Sequence, residues 1–213
     1  MDELDMLKKD WKNKDYSSNQ ITEKEIYGML HKRSSSIVKW IFMISIGEFL
    51  LYIIASLLLK NNESIVKFNS MDKYHILIIL EVISYAILGF FMIKFYLNYK
   101  KINANQSIKN LIKNILETRK TVKTYIKIVI IYSTFTAILM PIIQFNYDPE
   151  FIKMYNKVVE SGHETLFIIF SLLFTLIFIG IFILFMWLFY KLIYGILLKR
   201  LYGNYEELKK LEM

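Results

Sequence analysis

The chain has 213 residues, of which 55% are hydrophobic and 16% aromatic, with no cysteine and a formal net charge of +8. A water-soluble domain is typically about 45–50% apolar, whereas the apolar residues here are gathered into four long blocks. The lack of cysteine excludes disulfides and thiolate metal sites. Most of the excess positive charge flanks the apolar blocks, which favours anionic lipid headgroups over nucleic acid as the partner. The composition predicts an integral membrane protein.

Four stretches are long enough to cross a bilayer. A helix that spans a hydrocarbon core of about 30 Å needs roughly 20 predominantly apolar residues. The third stretch carries Lys127 and Pro141 near its ends, and the fourth contains no charged residue. The stretches are residues 37–59, 74–97, 125–145 and 165–190. They predict an all-α polytopic membrane protein with four transmembrane helices arranged as two hairpins.

The distribution of Lys and Arg predicts the orientation. The segments 1–36 and 98–124 hold seven each, and the tail 199–213 holds four. The connections 60–73 and 146–164 hold only three and two. Because cytoplasmic loops carry the excess of Lys and Arg, both termini and the middle connection are expected on the cytoplasmic side.

The predicted domains follow from these boundaries. Residues 1–36 form a cytoplasmic helical segment, residues 37–198 form the transmembrane domain with its amphipathic connection 98–124, and residues 199–213 form a cytoplasmic helical tail. The basic residues expected at the membrane surface are Lys32, Arg33, Arg119, Lys120, Lys123, Lys199 and Arg200. The aromatic residues expected at the membrane–water interfaces are Trp40, Tyr74, Tyr96, Tyr99, Tyr125 and Tyr190.

The N-terminal segment is predicted to form two helices. Leu4, Leu7 and Trp11 share one stripe of the first helix, and Thr22 with Glu25 has the pattern of a capping box that opens the second. The second helix is expected to run without interruption into the first span. Its apolar face, like that of the first helix, either lies on headgroups or other helices or contacts a soluble partner, for which Leu4, Leu7 and Trp11 are the candidate residues.

The two other cytoplasmic segments repeat this amphipathic pattern. In the middle connection an apolar helical face leads into the third span, and in the tail a helix continues the fourth span. Gly203 is the expected bend or end of the tail helix. The apolar face of the connection consists of Ile108, Leu111, Ile112, Ile115 and Leu116.

Glu48 and Glu81 are the carboxyl groups predicted at membrane depth. An ionised carboxylate there costs several kcal/mol unless it is paired, so such residues are candidates for function. On adjacent spans the two could share a proton and carry it across half the membrane. The alternative is a structural role in which the hydroxyl groups of Ser45, Tyr52, Ser84 or Tyr85 satisfy them.

Catalytic and cofactor signatures are not found. The predicted topology puts His31 on one side of the membrane and His75 and His163 on the other, which bars a three-histidine metal site. No HExxH, glycine-rich phosphate loop or GxSxG motif occurs. The sequence predicts no enzyme, no metal and no cofactor.

The second outer connection contains four acidic residues and one histidine, which either collect a cation or are solvated loop residues. They are Asp148, Glu150, Glu160, His163 and Glu164.

Three stretches carry a family resemblance: MDELDMLKKDWK, IYGMLHKRSSSIVKWIF and SIKNLIKNILETRKTVKTYI. They resemble a family of small uncharacterised bacterial four-span membrane proteins, often encoded beside alternative sigma factors and in some cases misnamed carotene oxygenases. The resemblance implies a location in the bacterial cytoplasmic (inner) membrane and an anti-sigma-like regulatory role. The HxxxCxxC zinc pattern of many anti-sigma domains is missing.

Two functions are predicted from these observations. The first is a non-enzymatic regulator or scaffold that docks a soluble cytoplasmic regulatory protein through its N-terminal helices. The alternative is a small proton-coupled transporter or channel component that uses Glu48 and Glu81. The expected partners are the anionic lipid bilayer, the soluble protein and a second copy of the chain, with no nucleic acid.

Overall fold

The computed structural model describes residues 22–62, 66, 76–103 and 107–212. Within these ranges the chain forms five α-helices and no strand. Four of the helices are long and apolar enough to cross a membrane, which confirms the predicted all-α, four-span class and makes the chain a multi-pass membrane protein. The helices are α1 (Glu23–Leu59), α2 (Ile76–Asn103), α3 (Ile108–Tyr147), α4 (Pro149–Glu160) and α5 (Glu164–Glu212).

The spanning helices are longer than the bilayer requires. α5 has 49 residues, so it extends roughly 74 Å at about 1.5 Å per residue. α3 has 40 residues, with Pro141 inside the helix, and α1 has 37. Because a hydrocarbon core is only about 30 Å thick, each of these helices also contains a helical extension of several turns outside the hydrocarbon core.

The four long helices pack as an antiparallel bundle. Going around the bundle, α1 contacts α2, α2 contacts α3, α3 contacts α5 and α5 returns to α1. We call the end where α1 and α3 begin and α2 and α5 end the basic end, and the other the opposite end. Each spanning helix contacts the next one along the chain, which is the up-and-down topology of a four-helix bundle.

The core of the bundle lies mainly toward the basic end. In this part of α2 and α3, successive buried positions are separated alternately by four and three residues, which is the repeat of coiled-coil packing. These positions are Phe91, Phe95, Asn98 and Ile102 on α2, and Leu111, Ile115, Thr118, Val122 and Tyr125 on α3. Apolar residues of α1 and α5 complete the core; they include Leu30, Val38, Ile41, Tyr194, Leu201 and Leu208.

Hydrogen bonds between helices fix the register at the basic end. The Asn204 side chain of α5 donates from Nδ2 to Ser34 Oγ of α1 at 3.0 Å, with both residues buried. Ser35 Oγ donates to Oδ1 of Asn103 on α2, also at 3.0 Å. A buried polar side chain is costly unless it is paired, so these two bonds favour one alignment of α1 against α2 and α5.

Beyond the basic end, the helices turn large apolar side chains outward. Examples are Leu58 at 76% exposure, Phe174 at 72% and Phe170 at 69%. Such extensive apolar exposure is unsuited to water and matches a surface covered by lipid chains.

Local details bear out several of the sequence predictions. The Thr22–Glu25 capping box is present, and α1 runs from it without a break into the first span. The tail helix also continues the fourth span as predicted, but its expected end at Gly203 is wrong, because α5 remains helical to Glu212. Gly203 therefore acts as an ordinary helical residue in this packed segment.

Helix α4 was not predicted from the sequence. Asp148 accepts a hydrogen bond from the backbone N–H of Glu150 and so caps the helix, and Pro149 occupies its first turn. Proline is favoured there because the first N–H groups of a helix have no partner within it. Gly162, with φ of 74°, provides the left-handed turn from α4 into α5.

Candidate functional site

Glu48 lies in the interior of the bundle and is bound by a tyrosine. The Tyr125 hydroxyl of α3 donates a hydrogen bond to Glu48 Oε2 of α1. Tyr125 is 1% exposed and Glu48 is half-buried, so the contact lies largely within the bundle. The bond satisfies one carboxyl oxygen of a side chain that would otherwise be costly at this depth.

Aromatic rings enclose this hydrogen bond. The Tyr125 ring lies 5.9 Å from that of Tyr190 and 5.8 Å from that of Tyr194, both edge-on. Phe91 and Phe95 of α2 lie 5.2 and 5.4 Å from Tyr125 on the other side. Edge-to-face pairs at these separations stabilise a core beyond their area of burial. We call Glu48, Tyr125, Tyr190 and Tyr194 the tyrosine cluster.

The tyrosine cluster retains unused hydrogen-bonding capacity. Among the described residues, Glu48 Oε1 and the Tyr194 hydroxyl are buried and have no hydrogen-bond partner. Tyr194 lies close enough to Glu48 for the phenol and the carboxyl group to interact. Buried polar groups without a partner are rare in folded proteins, and each one calls for an explanation such as a functional role.

Glu81 occupies a separate polar site nearer the opposite end. Ser56 Oγ of α1 donates to Glu81 Oε1 of α2 at 2.8 Å, and Tyr52 lies within electrostatic range of the same carboxyl. Ser84, one turn along α2, interacts with the Tyr132 hydroxyl of α3 at 3.2 Å. Hydroxyl groups of three helices therefore surround Glu81 and its neighbours.

The two carboxyl groups do not form a pair. No hydrogen bond joins Glu48 to Glu81, and Ser56, the partner of Glu81, lies eight residues beyond Glu48 on α1. At about 1.5 Å per residue this is roughly 12 Å along the helix. Tyr52 lies between them, one turn from each of Glu48 and Ser56, so the three residues form a polar column on one face of α1.

The partners of the carboxyl groups differ in part from those considered in the sequence. Ser45 donates to the backbone carbonyl of Phe42. Ser84 donates to the backbone carbonyl of Leu80 and also lies near Tyr132.

The expected interfacial positions of Tyr125 and Tyr190 are wrong, because both rings are buried in the core. Trp40 at 61% exposure and Tyr96 at 47% do face outward. Tyr125 and Tyr190 fall at interface depth in the sequence, which gives no indication of the face they occupy.

The predicted membrane-surface residues all lie at the basic end. Lys32, Arg33, Lys120, Lys123, Lys199 and Arg200 are exposed, whereas Arg119 is half-buried. The Arg119 guanidinium lies 4.2 Å from the ring centroid of Tyr202 on α5, a cation–π contact. A hydrogen bond to Glu206 raises the pKa of Tyr202. Arg119 thus helps to hold α3 against α5, in addition to its place in the basic surface.

The acidic residues at the opposite end serve local structure. Asp148 caps α4, and Glu164 accepts a hydrogen bond from the Tyr155 hydroxyl, which raises the pKa of that phenol. Among the described residues, no group of three or more His, Cys, Asp or Glu side chains is placed to hold a metal ion.

The predicted partner-binding residues Leu4, Leu7 and Trp11 lie outside the described residues, as does His75. Their proposed roles therefore stay predictions. The structure describes the capped first turn of α1 at Thr22, to which the N-terminal segment is attached.

Comparison with known proteins gives a family and no characterised relative. The family model described as a domain of unknown function (DUF8845) matches residues 24–213, so the chain belongs to that family. No curated protein matches the chain, and no solved structure matches it.

Proposed function

We propose that this member of a family of unknown function is a non-enzymatic, anti-sigma-like regulator or scaffold of the bacterial cytoplasmic membrane. In this proposal the basic end and both termini face the cytoplasm. A soluble regulatory protein docks on the N-terminal helices, chiefly through Leu4, Leu7 and Trp11. The charge distribution between alternate connections supports the orientation.

The observation that carries the proposal is the packed extension of the bundle at the basic end. α1 is attached there by the Ser34–Asn204 bond to α5 and the Ser35–Asn103 bond to α2. A partner held by the segment that precedes Thr22 would therefore be coupled to all the spanning helices. A protein whose only task was to cross the membrane would not need α5 to extend to roughly 74 Å.

Chemistry at the docking stripe supports the choice of residues. Leu4, Leu7 and Trp11 recur at positions i, i+3 and i+7, the spacing of helix-in-groove recognition. Tryptophan is enriched among the residues that dominate binding energy at interfaces. The proposal needs no catalytic group.

Site-specific photocrosslinking in cells tests the docking proposal. A photoreactive amino acid at position 7, and another at position 11, are expected to cross-link the same soluble polypeptide. That polypeptide is expected not to co-purify with the double variant Leu7→Ala, Trp11→Ala. The matched control is Leu57→Ala, Trp187→Ala, which removes the same two residue types at exposed positions of the spanning helices. Unchanged recovery of the polypeptide with the first double variant would contradict the proposal.

We propose one alternative, a small proton-coupled transporter or channel component. The polar column of Glu48, Tyr52 and Ser56 supports it, because the column links the tyrosine cluster to the Glu81 site. Proton flux into liposomes is then expected to be lost in Glu48→Gln and Glu81→Gln. Glu117→Gln, which removes a surface carboxylate paired with Lys101, is expected to retain it. Absence of flux in the parent protein would remove this alternative.

A further inference from the structure

A cavity lies at the opposite end of the bundle, between the peripheral helix α4 and the two spanning helices that flank it. Its volume is about 320 Å³, within the range of roughly 300–1,000 Å³ typical of small-molecule sites. The lining is apolar and aromatic except for Ser171, and the Ser171 hydroxyl is already bonded to the carbonyl of Ile168. The lining side chains are Phe145, Phe151, Ile152, Tyr155, Phe167, Ile168, Ser171 and Leu172.

Aromatic contacts join the walls of the cavity. The Phe151 ring of α4 lies 4.5 Å from Phe145 of α3 and 5.7 Å from Phe167 of α5. The Tyr155 hydroxyl donates to Glu164 at the start of α5. The Asp148 cap and the Gly162 turn fix both ends of α4. These contacts join the three helices that form the walls of the cavity.

Helix α4 separates its residue types cleanly. Its apolar side chains fall on one arc of the helix, and the opposite arc carries Glu150, Lys153, Asn156, Lys157 and Glu160. None of its residues is buried by the protein, and Met154 at 47% exposure and Val159 at 40% extend the apolar arc beyond the cavity. An amphipathic helix of this kind lies in the membrane interface with its apolar face toward the acyl chains.

Membrane depth identifies the occupant. Phe167, Ile168 and Leu172 belong to the first turns of the fourth spanning helix, and Ile168 and Leu172 are 44% and 55% exposed. Phe170 and Phe174, in the same turns of α5, are also strongly exposed, at 69% and 72%. In a membrane-spanning bundle such an exposed apolar surface faces acyl chains, and the cavity lining contains no charged side chain to recognise a polar ligand.

We propose that this cavity binds one acyl chain of a phospholipid from the membrane leaflet at the opposite end of the bundle. The chain lies beneath α4, against Phe151 and Phe167, and the headgroup lies outside beside the polar arc of α4. Lys153 and Lys157 on that arc complement a headgroup phosphate. The proposal is independent of the partner-docking function, since the cavity lies at the opposite end of the spanning helices from Thr22, where the described part of the first helix begins.

Photolabelling tests the proposal with the full chain in detergent micelles, where no bulk phospholipid competes for the cavity. The probe is phosphatidylglycerol whose acyl chain ends in a diazirine, added as a minor component. Labelling is expected on α4 and on the first turns of α5, and unmodified phosphatidylglycerol is expected to compete for it to saturation. Ser171→Phe fills the cavity and is expected to abolish the saturable labelling, whereas Leu173→Phe adds the same ring at the adjacent lipid-facing position and is expected to leave it unchanged.

A second variant guards against misfolding of Ser171→Phe. Ile152→Phe fills the cavity from α4 and leaves the spanning helices unaltered, so loss of saturable labelling is again expected. Labelling that is uniform over α5 and does not saturate would overturn the proposal. Retention of saturable labelling in both filling variants, or cross-linking from this cavity to a polypeptide in the native membrane in place of lipid, would overturn it as well.

Discussion

Two phenylalanines show how differently the two parts of the molecule are covered. Phe95, toward the basic end, is fully buried by three neighbouring aromatic rings, whereas Phe174, in the span of α5, is 72% exposed. At the basic end the helices bury their apolar faces against one another. Along the spans they rely on lipid to cover those faces. Protein packing is therefore the main source of specific structure at one end, and bilayer thickness the main constraint on the rest.

The largest expected effect is the contrast between two leucines of α5. Leu201→Ala removes a fully buried side chain at the basic end, and Leu176→Ala removes one that is 58% exposed in the span. We expect the first to lower the free energy of unfolding by about 2–5 kcal/mol because it leaves a cavity. The second is expected to cost less than about 1 kcal/mol, since lipid replaces the lost contacts.

Reversible unfolding in mixed micelles by increasing denaturing detergent measures both variants against the parent. Equal losses of stability for Leu201→Ala and Leu176→Ala would mean that the two parts of the bundle are packed alike, and the comparison would fail.

An intermediate effect is expected at the buried hydrogen bond between α5 and α1. Asn204→Ala and Ser34→Ala each leave a buried polar partner unsatisfied, which costs about 1–3 kcal/mol. The double variant is expected to lose less than the sum of the two, with a coupling of about 0.5–3 kcal/mol. Asn146→Ala, which removes an exposed amide bonded within its own helix, serves as the control. Strict additivity of the two buried changes would show that the bond does not fix the register.

The smallest expected effect concerns the start of α1 and depends on pH. Hydrogen bonds from the Thr22 backbone N–H and hydroxyl lower the pKa of the Glu25 carboxyl below its usual value of 4.5. The capping contribution is therefore fully present above about pH 4.5 and is lost as the pH falls through the lowered pKa. Amide hydrogen exchange over residues 23–27 is expected to accelerate in acid relative to the rest of α1, and Glu25→Gln is expected to remove that dependence.

Much of the architecture follows from the sequence because its physical causes are local. An uncharged run of 26 residues from Thr165 to Tyr190 has few alternatives to a spanning helix. The Thr22–Glu25 box is likewise a short-range pattern. Leu111 and Ile115, on the predicted apolar face of the connection, are fully buried, although Leu116 on the same predicted face is 41% exposed.

The site depends on information that is not local. Tyr125 was expected at the membrane interface, and its burial beside Glu48 depends on how α3 rotates against α1 and α5. The Asn204–Ser34 bond joins residues 170 positions apart, and no local pattern in a single sequence indicates such a pair. Asp148 and Pro149, a capping residue followed by proline, do indicate the start of helix α4. The charged residues of this segment are, however, also typical of a solvated loop.

The direct test of the account is the topology of the four spans, and the natural lack of cysteine makes it simple. Ser107→Cys places a thiol at the basic end and Ser161→Cys places one at the opposite end, both at exposed positions. A membrane-impermeant maleimide applied to intact cells is expected to label Ser161→Cys at once and Ser107→Cys only after permeabilisation. Labelling of both variants in intact cells, or of Ser107→Cys alone, would contradict the four-span arrangement with its packed basic end in the cytoplasm.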